Sequence, residues 1–351
     1  MEQKPLVSII IYNFNYGKFL RECIESALNQ TYENIEIIMS DNASSDDSWE
    51  IFVEFERKYR GKFFIARNYQ NFGTDHNFAV CWSARKGAFH VVLGSDDILE
   101  PTFVEKTMRV MQKHPDLGYV MCHRSIIDAE GKMSDEAPFY DRSCIMHPPG
   151  QSLVYMMAAV NPSISQILYR STMLTDERSG TGGLAGKYYA TRILDFNIAI
   201  EFPVAYLKEP LVRHRLHGNN QNLVASDDLM EVIGFYVLNI QFADKGIEKG
   251  FPSLQDNLEK STEKLSQLSL RYSLRSLLND DFMQAKRYFY LAQALNLDIL
   301  DTEFGKDLML IFTSNEKGHF KQKAKALASK ANLVTRQVSY PPPEPFEEIK
   351  I

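Results

Sequence analysis

The first 125 residues alternate short, mainly β-branched runs with amphipathic helical faces, and that alternation leaves few folds open. Val7 to Tyr12 is such a run, the mark of a strand buried on both faces. Phe19, Leu20, Cys23, Ile24, Ala27 and Leu28 then recur at helical spacing and form one apolar face. Ile35 to Met39 reads as a second strand, and Ile51, Phe52, Phe55 and Tyr59 as a second helical face. Phe63 to Ala66, Ala88 to Leu93 and Gly118 to His123 are three more strands. Between the first two of these lies a helix from Asn77 to Lys86, and Pro101 sits where it suits the first turn of another. Repeated strand-helix-strand units predict an α/β fold with a doubly wound, mainly parallel sheet. Such sheets bind ligands beyond the carboxyl ends of their strands.

The pattern weakens from Asp128 to Gly150, a stretch rich in Ser, Pro, Asp and Met that predicts loops over the sheet. Ser165 to Tyr169 reads as a strand, Thr191 to Glu201 as a helix and Val204 to Leu207 as a strand. Ser179 to Gly186 holds four glycines and is a candidate lid. Beyond Ala225 the signal is helical. Leu265 to Leu278 and Asp281 to Leu295 form a hairpin similar to a tetratricopeptide unit, without a second copy at that period. This reading divides the chain into an α/β domain over 1–222, a helical region over 223–335, and a proline-rich tail over 336–351 that is expected to be extended or disordered.

Charge and cysteine usage exclude several classes. The net charge is -6 and no basic stripe stands out, which argues against nucleic acid as a partner. No two of the four cysteines have C-x-x-C spacing, so neither a zinc knuckle nor a redox motif is expected. The opening MEQKPLVSIIIYNFN lacks the apolar core of a signal peptide, and no apolar run approaches bilayer length. The expected location is the cytoplasm, including the inner face of the membrane. The basic stretch Lys317 to Arg336 gives slight support to that peripheral contact, although a solvated helix face explains it as well.

Three local patterns carry chemistry. Gly94-Ser95-Asp96-Asp97 follows the apolar run Val91 to Leu93, and two adjacent carboxylates at a strand end need compensation. A hard divalent ion supplies it and also holds phosphates, whereas a helix cap would be the structural explanation. Ser40 to Asp47 follows the second strand. Asp41 can accept a base-edge N–H there, and Asp46 or Asp47 suits a cap on the next helix. In Arg213-His214-Arg215-Leu216-His217 alternate residues share a face, so Arg213, Arg215 and His217 would point together toward phosphate or metal. An exposed polar strand is the alternative.

Taken in order, these segments resemble family 2 glycosyltransferases of the GT-A fold. VSIIIYNFNYGKFLRECIESALNQTY, EIIMSDNASSDDS, NYQNFGTDHNFAVCWSARKGAFHVVLGSDD and YLKEPLVRHRLHGNN are similar to that family's first strand and helix, nucleotide loop, approach to the metal motif and late R-x-H element. The resemblance implies that Tyr12, Asn13 and Phe14 line a nucleobase pocket and that Asp41 bonds the base edge. It implies that Asn71 and Gly73 lie beside the nucleotide and that Asp96 faces the ribose and metal. Asp97 would ligate the metal, with His217 as a further metal or diphosphate contact and Arg215 nearby. Tyr12 stands where the family often has proline, and Gly94 where it often has a further aspartate. The acceptor base falls on Asp195. It lies about one helical turn later than the family pattern, whose place Thr191 takes, and Asp176, Glu177 and Glu201 are the alternatives.

The implied reaction is an inverting transfer from a nucleotide-diphosphate sugar, with UDP as the expected nucleotide and Mn²⁺ or Mg²⁺ as cofactor. The acceptor would be a saccharide or lipid-linked saccharide, as in surface polysaccharide, O-antigen or capsule assembly. A nucleotidyltransferase would show a glycine-rich basic loop after its first strand, and YNFNYGK has one glycine. A non-catalytic nucleotide-sugar-binding or scaffold protein is the other alternative, and the intact acid pair argues against it. The helical region could pack on the catalytic domain, mediate a homodimer or contact a membrane.

Overall fold

β1 (Val7–Asn13) runs between a parallel neighbour on each side, and its residues fill both layers of the core. Ile9 and Ile11 join the large cluster on one face, while Ile10 packs with Ile38, Cys81 and Val92 on the other. That is the packing a continuous β-branched run anticipates. The computed structural model describes residues 4–157, 160–179, 183–217, 229–313, 320–331 and 338–350.

The expected alternation follows: α1 (Gly17–Leu28), β2 (Ile35–Asp41), α2 (Ser48–Lys58), β3 (Phe63–Arg67), α3 (Thr74–Ala84) and β4 (Phe89–Val92). Then come β5 (Ile98–Leu99), α4 (Phe103–Lys113), β6 (Tyr119–Ile127), β7 (Met133–Ser134), β8 (Cys144–Met146), α5 (Gly150–Met156), β9 (Ile167–Arg170), α6 (Asp176–Ser179), α7 (Gly183–Ala199) and the long β10 (Val204–Arg215). All join one sheet, whose main path, ending on β11 (Phe346–Glu348), runs β11-β8-β10-β6-β9-β4-β1-β2-β3. β4, β1, β2 and β3 are mutually parallel, and β6 is parallel to β10. β9 lies antiparallel between β4 and β6, so it joins the two parallel blocks rather than extending one of them.

The loops at the carboxyl ends of β1 and β2 are tied together where α1 and α2 begin. Asp46 accepts the Gly17 N–H at 2.9 Å and the Ser48 N–H at 3.1 Å, so one carboxylate serves two helix amino termini. A Cβ on Gly17 would come within 2.1 Å of Asp47 Oδ1, so a larger residue there would have to push that exposed carboxylate aside. The N-cap position of α2 is Asp47, whose side chain makes no capping bond, and the carboxylate that serves both helix starts is Asp46.

The helical region comprises α8 (Met230–Glu248), α9 (Ser253–Asp256), α10 (Leu258–Leu278), α11 (Phe282–Leu295), α12 (Glu303–Thr313) and α13 (Phe320–Ala331). α8 is not separate from the catalytic unit: Leu238, Phe242 and Ala243 belong to the large core, and Phe242 stacks on Phe196 of α7 with ring centroids 3.7 Å apart. The division at 222 thus marks no break in packing. α10 and α11 form the expected hairpin. Ser266, Ser269 and Ser273 donate their hydroxyls to the carbonyls of Ala292, Tyr288 and Ala285, which lets the two helices approach closely. α12 and α13 extend it through a second core around Leu274, Phe289, Leu308 and Leu327. Among the described residues no helix is long and apolar enough to cross a membrane.

Of the two expectations for the tail, its described residues, 338–350, take the extended one. Phe346–Glu348 pairs antiparallel with β8, and the backbones of Phe139, Tyr340 and Asp141 exchange further bonds. Prolines preclude helix here but hold the chain extended, close to strand geometry, and the open edge of β8 supplies the partners. Gly180, Thr181 and Gly182 of the candidate lid, and both ends of the basic stretch (317–319 and 332–336), lie outside the described residues.

Candidate active site

The acid pair lies where β4 ends. Leu93 N–H still bonds Ile10 of β1 at 2.8 Å, after which the chain turns, with Asp97 N–H donating to Gly94 O at 3.0 Å. Asp97 is 2% exposed and both of its carboxylate oxygens accept hydrogen bonds. Ser165 Oγ donates to Oδ2 at 2.6 Å, and Arg215 N–H and His214 Nδ1 meet Oδ1, each at 3.0 Å. Burial alone would raise this carboxyl, but His214, Ser165 and the Arg215 amide hold it below the usual carboxylate range. Asp96 behaves in the opposite way: burial, then repulsion from Asp97, pushes it up, with His217 Nε2 at 3.0 Å from Oδ2 pulling back.

α1 forms the wall behind this loop. Phe19 lies under both the Arg215 guanidinium, 4.7 Å from its centroid, and the His217 ring at 4.8 Å. Tyr16 flanks His217 at 5.7 Å, and burial, then Asp96 and Asp97, pushes its phenol up to about 12. Cys23 Sγ reaches Gly94 O at 3.4 Å. Arg215 is 2% exposed, with Nε on Asp96 O at 2.9 Å, Nη1 on Asp128 O at 3.0 Å and Nη2 on Glu22 Oε2 at 2.6 Å. The R-x-H segment does not form one cationic patch, because Arg213 turns to Glu100 at 2.6 Å.

The second half of the site lies past β1, β2 and β3. Asp41 is wholly buried, and its oxygens accept from Ser44 N–H at 3.0 Å, Ser44 Oγ at 2.5 Å and Asn13 Nδ2 at 3.2 Å. Asp41 thus shapes the loop in this state, and the buried Asn13 Oδ1 beside it has no hydrogen-bond partner. Asn42 Nδ2 donates to Asn71 Oδ1 at 2.7 Å and to Gly73 O at 3.1 Å, which holds the β3–α3 loop. Gly73 has φ 88°, a left-handed value that favours glycine. Phe14 is exposed beyond β1, and Tyr12 packs edge-on against Phe78. Ser95 Oγ donates to Tyr12 O at 3.2 Å and links the two halves. The expected nucleotide residues and acids therefore occupy one connected margin of the sheet.

Asp195 does not join them, which corrects the expectation for the base. Its carboxylate is 2% exposed and accepts the Tyr169 hydroxyl at 2.6 Å. Tyr169 pairs with Tyr119, the first residue of β6, whereas Arg215, bonded to Asp97, pairs with Ile127, the last. Ser165, which bonds Asp97, lies four residues before Tyr169, so about 13 Å of chain at ~3.3 Å per residue separates it from the hydroxyl that holds Asp195. Burial pushes the Asp195 carboxyl up to about 7, with Tyr169 and Arg192 opposing. Of the alternative acids, Glu201 is paired with Arg178 and Lys249, and Asp176 and Glu177 are exposed on α6.

The donor set suits a hard cation. Asp96 Oδ1 and Asp97 Oδ2 converge on the space before Gly94, where an added Cβ would lie 3.1 and 3.2 Å from them. Among the described residues no three His, Cys, Asp or Glu side chains form a ready-made metal cage. A cation held here would complete its shell with phosphate oxygens, as hard ions do in nucleotide sites. Sequence reasoning missed His214, Ser165 and Glu22. His214 lies inside the R-x-H segment and could have been found as the alternate-face residue, but the serine and the glutamate carry no pattern of their own.

Comparison with known proteins agrees with this geometry. Residues 8–158 match the model of Glycosyl transferase family 2. An uncharacterized glycosyltransferase of Nostoc sp. is 26% identical over 232 residues, 64% of this chain and 69% of the relative. Chondroitin synthase of Escherichia coli is 34% identical over 145 residues, 40% of this chain but 21% of that much longer protein. The structure of S. aureus TarS 1-349 in complex with UDP-GlcNAc superposes with a TM-score of 0.58 at 13% identity, covering 93% of this chain and 91% of that one. With its acid pair at the end of β4 and a GT-A sheet around it, the chain is similar to glycosyl transferase family 2 over residues 8–158.

Proposed function

We propose that this glycosyltransferase moves one sugar, with inversion, from a UDP-linked donor to a hydroxyl of a saccharide or lipid-linked saccharide during surface-polysaccharide assembly. The observation that carries the reading is the Asp96–Asp97 pair with His217 Nε2 3.0 Å from Asp96, placed beyond the carboxyl end of a central strand. The loops after β1, β2 and β3 would receive the nucleoside, with Asn13 Oδ1 offering an unpartnered acceptor to a base-edge donor. Asp96, Asp97 and His217 would hold Mn²⁺ or Mg²⁺, which when bound offsets charge on the departing diphosphate. Ser165, His214 and the Arg215 amide keep Asp97 ionised and aimed, so no reorganisation is needed when that charge develops. The sugar, the acceptor and a role at a membrane face belong to this proposal too.

The test is incubation with UDP-, GDP- and dTDP-sugars in the presence of Mn²⁺. Slow nucleotide release from a UDP-sugar, lost in Asp97→Ala, is expected. Full turnover by Asp97→Ala would overturn the assignment of the acids, and donor binding without turnover on any acceptor would favour a binding protein.

A further inference from the structure

The Arg215 charge is almost sealed from solvent and lies next to the acid pair, yet the carboxylate that its guanidinium bonds at 2.6 Å is that of Glu22. Its Nε meets the Asp96 carbonyl at 2.9 Å, its Nη1 the Asp128 carbonyl at 3.0 Å, and its Nη2 the Glu22 carboxylate at 2.6 Å. A buried guanidinium needs a counter-charge as well as hydrogen-bond acceptors. Glu22 supplies it from the same face of α1 that carries Phe19, the ring on which the guanidinium lies.

We propose that Glu22 is a positioning residue that holds Arg215 against α1 and so keeps Asp96 and Asp97 available for a divalent cation and a diphosphate. Without Glu22 the guanidinium would seek the Asp96 carboxylate, in the two-pronged geometry that arginine and carboxylate favour. That pair would displace His217 from Asp96 and cancel the negative charge a cation needs. Glu22 suits this role rather than a packing role, because its side chain is 62% exposed while its partner is 2% exposed. Losing it removes little buried surface, and Phe19 and Cys23 would still hold the loop to α1.

The inference rests on the acid pair binding a metal–nucleotide complex. The experiment measures Mn²⁺ affinity in the presence of UDP by calorimetry on the full chain, for the wild type, Glu22→Gln and Glu22→Ala. Thermal melting is recorded without metal or nucleotide. Glu22→Ala is expected to weaken Mn²⁺ binding about tenfold or more, since a desolvated charge is redirected onto the acids. Glu22→Gln, which keeps an acceptor for Nη2, falls between. Melting should move by no more than about two degrees, because the redirected guanidinium regains a counter-charge at Asp96, and transfer by Glu22→Ala should recover when Mn²⁺ is raised. Wild-type Mn²⁺ affinity in both variants would overturn the proposal, as would a loss that tracks unfolding and is not rescued by Mn²⁺. A wild-type chain that binds neither UDP nor Mn²⁺ would instead refute the underlying reading, and the proposal with it.

Discussion

Ser165 donates its hydroxyl to Asp97 at 2.6 Å and accepts the Gly94 N–H at 2.9 Å, so one small side chain before β9 braces both ends of the acid turn. Ser165→Ala removes both bonds at a buried site. Stability should fall by about 1–2 kcal/mol, and kcat/KM by roughly tenfold as Asp97 loses one of its aligning donors. Denaturant melts and donor turnover measured together check this, and unchanged turnover would mean that His214 and the Arg215 amide suffice.

Gly94 is the residue around which the two carboxylates close. In Gly94→Ala the added methyl would lie 3.1 Å from Asp96 Oδ1 and 3.2 Å from Asp97 Oδ2, tighter than ordinary contact. Since the turn lies at the margin of the sheet, stability should change by about 1 kcal/mol, while misaligned acids cost about tenfold or more in kcat. Steady-state kinetics across Mn²⁺ concentrations separate weaker metal binding from slower transfer.

Ala43 has φ 59° in the loop that carries Asp41 and Ser44. A left-handed alanine costs about 1 kcal/mol, and glycine tolerates that conformation without the penalty. Ala43→Gly should therefore raise the unfolding free energy by up to ~1 kcal/mol, read from urea melts. A loss of stability would show that chain entropy outweighs the relief of strain.

The buried Asp195 carboxyl titrates high, at about 7 against an ordinary 3.8, with burial as the first cause. A folded-state value above the unfolded one gives stability that is full below the unfolded value and lost as pH rises through the folded one. The wild type should therefore lose stability between about pH 4 and pH 8 relative to Asp195→Asn, whose amide still accepts the Tyr169 hydroxyl. About three pH units at ~1.4 kcal/mol each set an upper bound of roughly 4 kcal/mol on the difference. Parallel pH profiles for the two proteins would rule this out, and transfer activity retained by Asp195→Asn would agree with a core role.

Much of the nucleotide half of the fold was legible because its signals are periodic. β-branched runs marked β1, β2 and β4, helical spacing marked α1, and paired acids after an apolar run marked a strand end. His217 was visible from its place two residues after Arg215, although its contact with Asp96 required the fold. What stayed hidden depends on depth and partner. Asp195 sits in ILDFNIAI, where period alone does not say how far along the sheet a carboxylate lies. β9 reads as one more strand, because direction is decided by chain path rather than by residue type. The prolines of the tail signal extended backbone but not the open edge of β8 that pairs with it.

That pairing bears on motion. The chain leaves the sheet at β10, builds every helix from α8 to α13, and returns to lay β11 against β8, with Phe346 opposite Met146. The helical layer is thus anchored at both extremities and cannot swing on a single hinge. Any displacement of these helices relative to the sheet must either shear β11 along β8 or be absorbed within the helices.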